Sequence, residues 1–375
     1  MFRFIHSSDL HLGRRFGNLP EEVRGRLVEA RHAAIGRIAT SARDHGASHV
    51  LLAGDLFDTE TPSDSVWRQA LAAMNSAEGL QWWILPGNHD SLAAEALWGR
   101  VRTHAPENVH LLGASEPVEI APRVVLLPAP VPRRFPGRDL TEWMPLCATP
   151  EDNVRIGLAH GGVLSFGSED SGAEIIPPDR AASARLDYLA LGDWHGVKQF
   201  GDRTFYSGTP ERDRFKHSGP GSCLAVTLLG PGAVPEVNAI RTGQFDWREA
   251  PLALTPAQDA VAALEMPLQA AGKAKRDMLL RIRATGWLRL PARMALARAA
   301  ELAMPEFWHF EFDDSGLSTE CTPQDLDGIG LSGALRLAAE GLHQKSEAAA
   351  ATPADRAIAA AALRRLYSYV QGEAQ

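Results

Sequence analysis

Short apolar segments that end in metal-binding types of side chain are the feature that most constrains this chain. Five of them lie within the first 200 residues, and each is followed by carboxylate, amide or imidazole groups. Because open α/β sheets bind ligands at the carboxyl ends of their strands, this order predicts one polar site at a sheet edge. The clusters are Asp9-Leu-His11, Gly54-Asp55, Gly87-Asn-His-Asp90, His160-Gly161 and Gly192-Asp-Trp-His195.

The segments between these clusters alternate between strand and helix patterns. Apolar residues at helical spacing predict helices over 22–45 and 63–77, with Ser63 as the N-cap of the second. Strands that alternate with helices predict an α/β layered fold. Short apolar runs predict strands at 2–7, 48–53, 82–85, 109–112, 123–127, 154–159 and 187–191.

The pattern changes after about residue 200, where short strands lie between Gly- and Pro-containing turns. Strand-like segments at 278–284 and 307–312 flank a helical stretch at 291–303, and residues 333–375 are Ala-rich and helical in pattern. A smaller α+β domain and a helical tail are therefore expected. The predicted domains are 1–242, 243–330 and 331–375.

Composition limits the classes of protein that fit. The formal net charge of −8 argues against a protein whose whole surface binds nucleic acid, although it leaves room for a local basic groove. No apolar run approaches the ~18 residues of a membrane span, so we expect no membrane partner. The N-terminus lacks a signal-peptide pattern. Three widely spaced cysteines (Cys147, Cys223 and Cys321) suit neither a disulfide framework nor a cysteine metal site, and a cytoplasmic location is expected.

Two of the clusters place an aspartate two residues before a histidine. In extended backbone such residues point to the same side, so Asp9 and His11 could grip one metal ion. Asp193 and His195 repeat the spacing in the last cluster. Carboxylate and imidazole ligands suit divalent ions such as Mn²⁺, Fe²⁺ and Zn²⁺.

The middle clusters supply the remaining ligands of a two-metal arrangement. Asp55 could bridge two ions, and Asn88 and His160 could complete the second site; two ions about 3.5–4 Å apart polarise a phosphoryl group and generate hydroxide at neutral pH. Each cluster alone has a plainer interpretation, since Asp-x-His at a strand end is more often structural, Gly-Asp a turn, and a lone histidine part of the core. Five clusters in order within one α/β unit favour the metal site.

This order resembles the calcineurin-like metallophosphoesterase superfamily, whose motifs are DxH, GD, GNH(D/E), H and GHxH. More narrowly, the chain is similar to SbcD-type DNA-repair exonucleases, the nuclease partners of SbcC-type ATPases. The superfamily resemblance covers about residues 1–210 and implies a β-sandwich flanked by helices, with a smaller α+β capping domain and a helical C-terminal tail. The stretches that carry the narrower resemblance are 6–13, 54–58, 85–90 and 206–212.

The resemblance also implies roles for individual residues. His89 would face the phosphate and stabilise developing charge or protonate the leaving oxygen, and Asp90 would orient the His89 imidazole by accepting its other N–H. The first ion would be held by Asp9, His11, Asp55 and His195, and the second by Asp55, Asn88, His160 and the residue at 193.

The chain departs from the family pattern at Asp193, where the GHxH motif has histidine and this chain has Gly-Asp-Trp-His. An aspartate can ligate a divalent ion, and a harder anionic ligand favours Mn²⁺ or Mg²⁺ over Zn²⁺. The alternative is a second site that holds its ion weakly. We therefore expect two divalent ions, with Mn²⁺ first and Mg²⁺, Fe²⁺ or Zn²⁺ as alternatives.

Four arginines near the motifs are candidates for contact with nucleic acid. Arg14 and Arg15 directly follow the first cluster, and Arg212 and Arg214 follow the Tyr206-Ser-Gly-Thr-Pro turn. Each could instead be an ordinary surface residue.

The expected function is a Mn²⁺-dependent phosphodiesterase, an exonuclease or endonuclease acting on DNA with an SbcC-like ATPase. The same motifs also suit a hydrolase of small phosphoesters or cyclic nucleotides, and Asp193 leaves open a non-catalytic subunit with a degenerate site. Residues 331–375 either pack on the chain's own second domain or dock on the ATPase. A homodimer is an expectation from the resemblance, with the helix at 22–45 as a candidate surface.

Overall fold

The structure is a computed structural model with two compact units, Met1–Trp247 and Arg248–Gln375. It describes residues 1–163, 176–216, 219–272, 275–320, 323–330 and 332–370. Cys321, residue 331 and the last five residues of the predicted C-terminal segment lie outside the described residues. Within the described residues, no helix combines the length and the hydropathy of a membrane-spanning helix.

The first sheet of the first unit is mostly parallel. Its strand order is β12-β11-β1-β2-β3-β4, in which β1 to β4 run parallel and β11 pairs antiparallel with both β1 and β12. The strands are β1 (Phe2–Ser7), β2 (His49–Ala53), β3 (Gln81–Leu85), β4 (Val109–Leu111), β11 (Gly219–Leu228) and β12 (Glu236–Leu254), of which residues 236–247 belong to this unit.

The second sheet of the first unit has the order β5-β6-β7-β8-β10-β9. Strands β6, β7, β8 and β10 run parallel, and β5 and β9 close the edges as antiparallel strands. The strands are β5 (Val118–Ala121), β6 (Val124–Ala129), β7 (Val154–His160), β8 (Tyr188–Gly192), β9 (Lys198–Phe200) and β10 (Thr204–Tyr206).

Strand alternation divides the core of the first unit into layers. In β2, Val50 and Leu52 pack beneath the helices, whereas Leu51 and Ala53 pack in a separate core between the two sheets. Helices cover the outer face of each sheet. They are α1 (Glu21–Asp44), α2 (Asp64–Asn75), α3 (Glu95–His104) and the short α4 (Arg180–Ser183).

The helices predicted over 22–45 and 63–77 are confirmed as α1 and α2. Ser63 occupies the N-cap position of α2, but its hydroxyl lies 3.0 Å from Ser65 Oγ and does not cap a helix N–H. The sequence pattern does not predict helix α3, because its buried residues Leu97, Trp98 and Val101 mark only about one turn.

The second unit builds its own core from strands and helices after Trp247. Strands β13 (Met278–Arg289) and β14 (His309–Glu320) run parallel and are longer than the predicted 278–284 and 307–312. The remaining elements are α5 (Ala260–Ala270), α6 (Leu290–Ala303), α7 (Pro323–Asp327), α8 (Ala334–Glu347) and α9 (Pro353–Val370). The predicted class is confirmed: two sheets flanked by helices, with a helical C-terminal region.

Candidate metal centre

All seven predicted metal ligands lie at or just after the carboxyl end of a parallel strand. Strands β1, β2 and β3 are neighbours in the first sheet, and β7 and β8 are neighbours in the second, so their polar ends come together. We call Asp9, His11 and His195 the first donor group, and Asp55, Asn88, His160 and Asp193 the second donor group.

The two groups meet at Asp55. Asp55 Oδ2 lies 3.5 Å from His11 Nε2 and 3.5 Å from His160 Nε2, which places this carboxylate between the groups. Ligand atoms of Asp9, His11 and His195 lie within 4.8 Å of one another, as do those of Asp9, Asp55 and His160. All five side chains are buried. Asp55 thus lies within reach of both groups, and its role as a bridging ligand stays a prediction.

The histidines of the first donor group point their Nε2 atoms at each other. His11 Nδ1 lies 3.3 Å from Asp58 Oδ1, and His195 Nδ1 lies 3.3 Å from Asp213 Oδ1. An ionised carboxylate only accepts hydrogen bonds, so His195 Nδ1 donates to Asp213, whereas His11 Nδ1 is buried without a hydrogen-bond partner among the described residues. The two Nε2 atoms are 3.2 Å apart. Either a shared proton or a cation would satisfy two ring nitrogens at that distance.

Charge in the second donor group also favours a cation. Burial opposes a charged His160, but the carboxylates of Asp55, Asp9 and Asp193 outweigh it and raise the pKa of His160 to about 10. Burial raises the pKa of Asp55 well above its usual range. Among the residues that the structure describes, His160 Nε2 and Asn88 Oδ1 are buried polar atoms without a hydrogen-bond partner. Such atoms are costly to bury unless a ligand satisfies them.

The backbone of the ligand loops is strained. Asp9, His11, Asp55 and Asp193 have φ values of 57°, 43°, 53° and 94°, and they make up four of the seven non-glycine residues with positive φ in the described chain. Residues in such sparsely populated regions cluster at functional sites, where the surrounding structure holds them.

Two glycines allow the loops to approach closely. A Cβ atom at Gly87 would overlap the backbone and carboxylate of Asp55, and one at Gly192 would overlap the carbonyl oxygen of Ala53. The glycines that precede Asn88 and Asp193 in the motifs are therefore required by packing against the neighbouring loop.

His89 lies beside the donor groups, with its ring centroid 4.8 Å from that of His11. Its backbone N–H donates to Asp55 Oδ1 at 2.9 Å. Its Nδ1 lies 3.0 Å from the Asp58 carbonyl oxygen, which can only accept, so Nδ1 carries the ring proton and Nε2 remains to exchange one. Burial lowers the pKa of His89, which keeps the ring neutral near pH 7.

The prediction that Asp90 orients the His89 ring is wrong. Asp90 Oδ1 accepts from the backbone N–H of Gly87 at 2.7 Å, and Oδ2 accepts from that of Phe57 at 3.0 Å. The carboxylate thus closes the loop that carries Asn88 and His89, and the Asp58 carbonyl orients the imidazole. Adjacency in sequence misleads here, because neighbouring side chains in a turn diverge.

Three side chains support the donor groups; the sequence motifs predict neither Asp213 nor Arg31, and they leave the role of Asp58 open. Asp213 stands behind His195, Asp58 stands behind His11, and Arg31 is a fully buried arginine of α1 that contacts the Asp9 loop. The sequence around Asp58 indicates only a turn residue or a support for the metal shell. The sole signal for Asp213 is its place as an acidic residue among the arginines of Glu211-Arg-Asp-Arg214.

The four arginines predicted to contact nucleic acid differ in their surroundings. Arg14 lies between Asp58 Oδ1 and Asp213 Oδ2, at 3.3 Å from each, and Arg214 Nε lies 3.1 Å from Asp213 Oδ1. Arg212 is buried and donates to the His195 carbonyl at 2.8 Å, whereas Arg15 is exposed. Their contact with nucleic acid stays a prediction.

The donor set fits divalent metal ions. Buried carboxylates, two facing imidazole Nε2 atoms and buried polar atoms without a hydrogen-bond partner among the described residues are what hard-to-borderline cations satisfy. Asp9, His11, Asp55 and His195 would hold one ion, and Asp55, Asn88, His160 and Asp193 a second. Bound there, the ions would polarise a phosphoryl group and activate water.

Known proteins share this pattern. The profile of the family described as Calcineurin-like phosphoesterase matches residues 2–217, more than half of the chain. The chain is 25% identical over 279 residues to Uncharacterized metallophosphoesterase YhaO of Bacillus subtilis, a match that covers 70% of this chain and 66% of YhaO, just under two thirds of that relative.

The SbcD subunits of two bacterial SbcCD nucleases are also similar to the chain. It is 25% identical over 280 residues to that of Bacillus subtilis, a match that covers 61% of this chain and 67% of that protein. It is 30% identical over 95 residues to that of Escherichia coli K12, a match that covers 24% of this chain and 22% of that protein. With the family profile spanning the residues that form both donor groups, the chain belongs to the calcineurin-like phosphoesterase family and is a metallophosphoesterase.

Proposed function

We propose that this metallophosphoesterase is a Mn²⁺-dependent nuclease that hydrolyses phosphodiester bonds in DNA. The similarity to the nuclease subunits of two bacteria carries the choice of DNA. The two donor groups that share Asp55 supply the two-ion geometry that phosphodiester hydrolysis uses. Aspartate at 193 gives the second donor group one more hard oxygen ligand, which favours Mn²⁺ over Zn²⁺.

In this reaction the protein's own groups orient the phosphate and move a proton. His89 keeps its Nδ1 proton on the Asp58 carbonyl, so its Nε2 is the atom that delivers a proton to the leaving oxygen. Burial lowers the pKa of His89, so the free ring is neutral. The negative charge of a bound phosphodiester would raise that pKa again, and Nε2 would then take a proton from solvent before passing it to the leaving oxygen.

A basic loop next to His89 supports a polyanionic substrate. Val131 donates its N–H to the Pro86 carbonyl and accepts from the Leu92 N–H, so its loop is tied to both ends of the segment that carries His89. The next residues include Arg133 and Arg134, which are exposed. The chain's net charge of −8 would repel a phosphate backbone, and local positive charge of this kind would reduce that repulsion beside His89.

The direct test is cleavage of linear single- and double-stranded DNA with and without Mn²⁺. We expect cleavage that requires Mn²⁺ and falls about 10²–10⁴-fold in His89→Ala, because one proton-transfer group is lost. A chromogenic phosphodiester serves as the matched small substrate. Hydrolysis of that diester without DNA cleavage would replace this proposal by a small-phosphoester hydrolase, and inactivity toward both would favour the non-catalytic alternative.

We also propose that an SbcC-like ATPase binds the C-terminal helices. α8 and α9 share a small core that includes Ala339 and Leu363, and they leave Leu335, Leu337 and Ile358 at least half exposed. Exposed apolar side chains on a helix pair suit docking on another helical surface. Copurification of the full chain with the SbcC-like ATPase of the same organism should be lost in Leu337→Asp and kept in Glu340→Gln. Retention in Leu337→Asp and Ile358→Asp would refute this surface.

A further inference from the structure

Arg31 is a buried arginine that the proposed reaction does not use. It lies on α1 with 1% of its surface exposed, in the middle of a helix whose other buried residues are mostly apolar. Burying a guanidinium is costly unless its N–H groups and charge are satisfied. The partners of Arg31 therefore show what the arginine holds in place.

Its three nitrogens each donate to a different backbone carbonyl. Nε donates to Leu10 at 2.8 Å, Nη2 to Asp9 at 3.0 Å, and Nη1 to Glu211 at 2.9 Å. The first two carbonyls belong to the loop after β1, and the third belongs to the segment that leads to Asp213. One planar fork thus joins the loop of a candidate ligand to the segment that supports His195.

Both joined segments need external restraint. Asp9 has a φ of 57°, a conformation that persists for a non-glycine residue only where its surroundings fix it. The Asp9 carbonyl also accepts from Thr209 Oγ1 at 2.8 Å, so Arg31 and Thr209 hold the same atom. Asp213 in turn contacts His195 Nδ1 and fixes the ring that faces His11.

We propose that Arg31 is a positioning residue for the first donor group, which sets the affinity of that group for its metal ion without contacting the ion. The fork holds Asp9 and, through the 211–213 segment, His195 in the spacing that the ion requires. This inference rests on metal ligation by Asp9 and His195, and it is independent of whether the substrate is DNA.

Arg37 offers a matched control on the same helix. Its guanidinium contacts the Thr242 and Ala30 carbonyls and lies 2.6 Å from Glu211 Oε2. Like Arg31, it therefore contacts Glu211, but none of these hydrogen bonds goes to the Asp9 loop. Loss of either arginine removes packing and hydrogen bonds from α1. Only loss of Arg31 should change the spacing of the first donor group.

The test is calorimetric titration of the full metal-free chain with Mn²⁺, for wild type, Arg31→Met, Arg31→Lys and Arg37→Met. We expect the Kd of one of the two ions to rise about 10–100-fold in both Arg31 variants, the range for residues that orient metal ligands, with the other ion retained. Lysine keeps the charge but cannot span three carbonyls, so it should not rescue. Arg37→Met should bind both ions within about twofold of wild type.

Three results would overturn the proposal. The first is wild-type Mn²⁺ affinity in the Arg31 variants, and the second is an equal loss of Mn²⁺ affinity in Arg37→Met. The third is a wild-type chain that binds no Mn²⁺, which would also remove the metal part of the proposed function. Circular dichroism and thermal melting separate loss of affinity from loss of folding. If Arg31→Met does not fold, Arg31→Lys carries the test.

Discussion

The first and second donor groups use the same kinds of side chain, but they are held in different ways. In the first group, Asp58 and Asp213 stand behind the two rings, and Arg14 lies 3.3 Å from both carboxylates. In the second group, His160 Nδ1 lies 2.8 Å from the Ala53 carbonyl, while Asn88 Oδ1 has no hydrogen-bond partner among the described residues. The Asp193 side chain is 36% exposed.

This difference indicates where the site tolerates change. A ligand that is held by a carboxylate partner is already oriented before the ion binds. Replacing that ligand or its partner therefore disturbs a preorganised geometry. A ligand that is about one third exposed, such as Asp193, can adjust its position when the ion binds. The departure from histidine occurs at Asp193, in the more loosely held group, where an aspartate can still reach an ion.

The largest expected effect comes from the residue that the groups share. Asp55→Asn removes the charge between His11 and His160, so the binding of both ions should weaken. The loss of several kcal/mol of transition-state stabilisation should lower kcat about 10²–10⁴-fold. Calorimetry with Mn²⁺ and turnover of a chromogenic diester measure the two effects. Asp64→Asn, at an exposed aspartate of α2, is the control. Loss of only one ion in Asp55→Asn would show that the groups are independent.

The next effect separates the groups. Asp213→Asn keeps the shape of the partner behind His195 but removes its charge, and we expect the affinity for one ion to fall about 10–100-fold while the other ion stays. The readout is the two-site Mn²⁺ isotherm. Equal weakening of both ions, or of neither, would contradict the asymmetry described here.

A smaller effect is expected at Asp193. Asp193→His should restore the family's ligand type, change the affinity for the second ion by about tenfold or less, and shift metal preference from Mn²⁺ toward Zn²⁺, because imidazole is a softer ligand than carboxylate. Competition titration with the two metals measures the shift. A gain of activity from an inactive wild type would instead mark the native second site as degenerate.

The smallest effect is a pH dependence that differs between the groups. Burial lowers the pKa of His11 to about 3, so its ring is already neutral at neutral pH and has no positive charge for an ion to displace. Although burial opposes it, three carboxylates raise the pKa of His160 to about 10, so the His160–Asp55 pair keeps a proton that an ion must displace.

Binding of the second ion should therefore tighten as pH rises from 6 to 9, by up to about tenfold per pH unit, while binding of the first ion, which shares only Asp55 of that pair, should change less. Titrations in buffers with different ionisation enthalpies would report about one proton released with the second ion. Proton release with the first ion alone would reverse the assignment.

The residues of both donor groups could be found from sequence because each of the five clusters lies at or just after the end of its own strand. The position of Asp55 after β2 or His160 at the end of β7 depends on local pattern and on the rule for parallel sheets. The class of fold followed from the same alternation. Helix α3 could not be predicted, because a helix of about three turns with three buried residues gives little periodicity.

The supporting residues could not be predicted because long-range folding places them. Arg31 meets Glu211 across 180 residues, and Asp213 reaches His195 only after the chain has turned toward β11. The Asp90 error has the same origin. Its carboxylate is directed by the backbone N–H groups of Gly87 and Phe57, which no pattern of residue types reveals.

Anomalous diffraction from crystals of the full chain grown with Mn²⁺ tests the central claim most directly. The claim predicts two manganese peaks about 3.5–4 Å apart on either side of Asp55, one within reach of Asp9, His11 and His195 and the other within reach of Asn88, His160 and Asp193. A single peak, or peaks that Asp55 does not bridge, would contradict the two-group account.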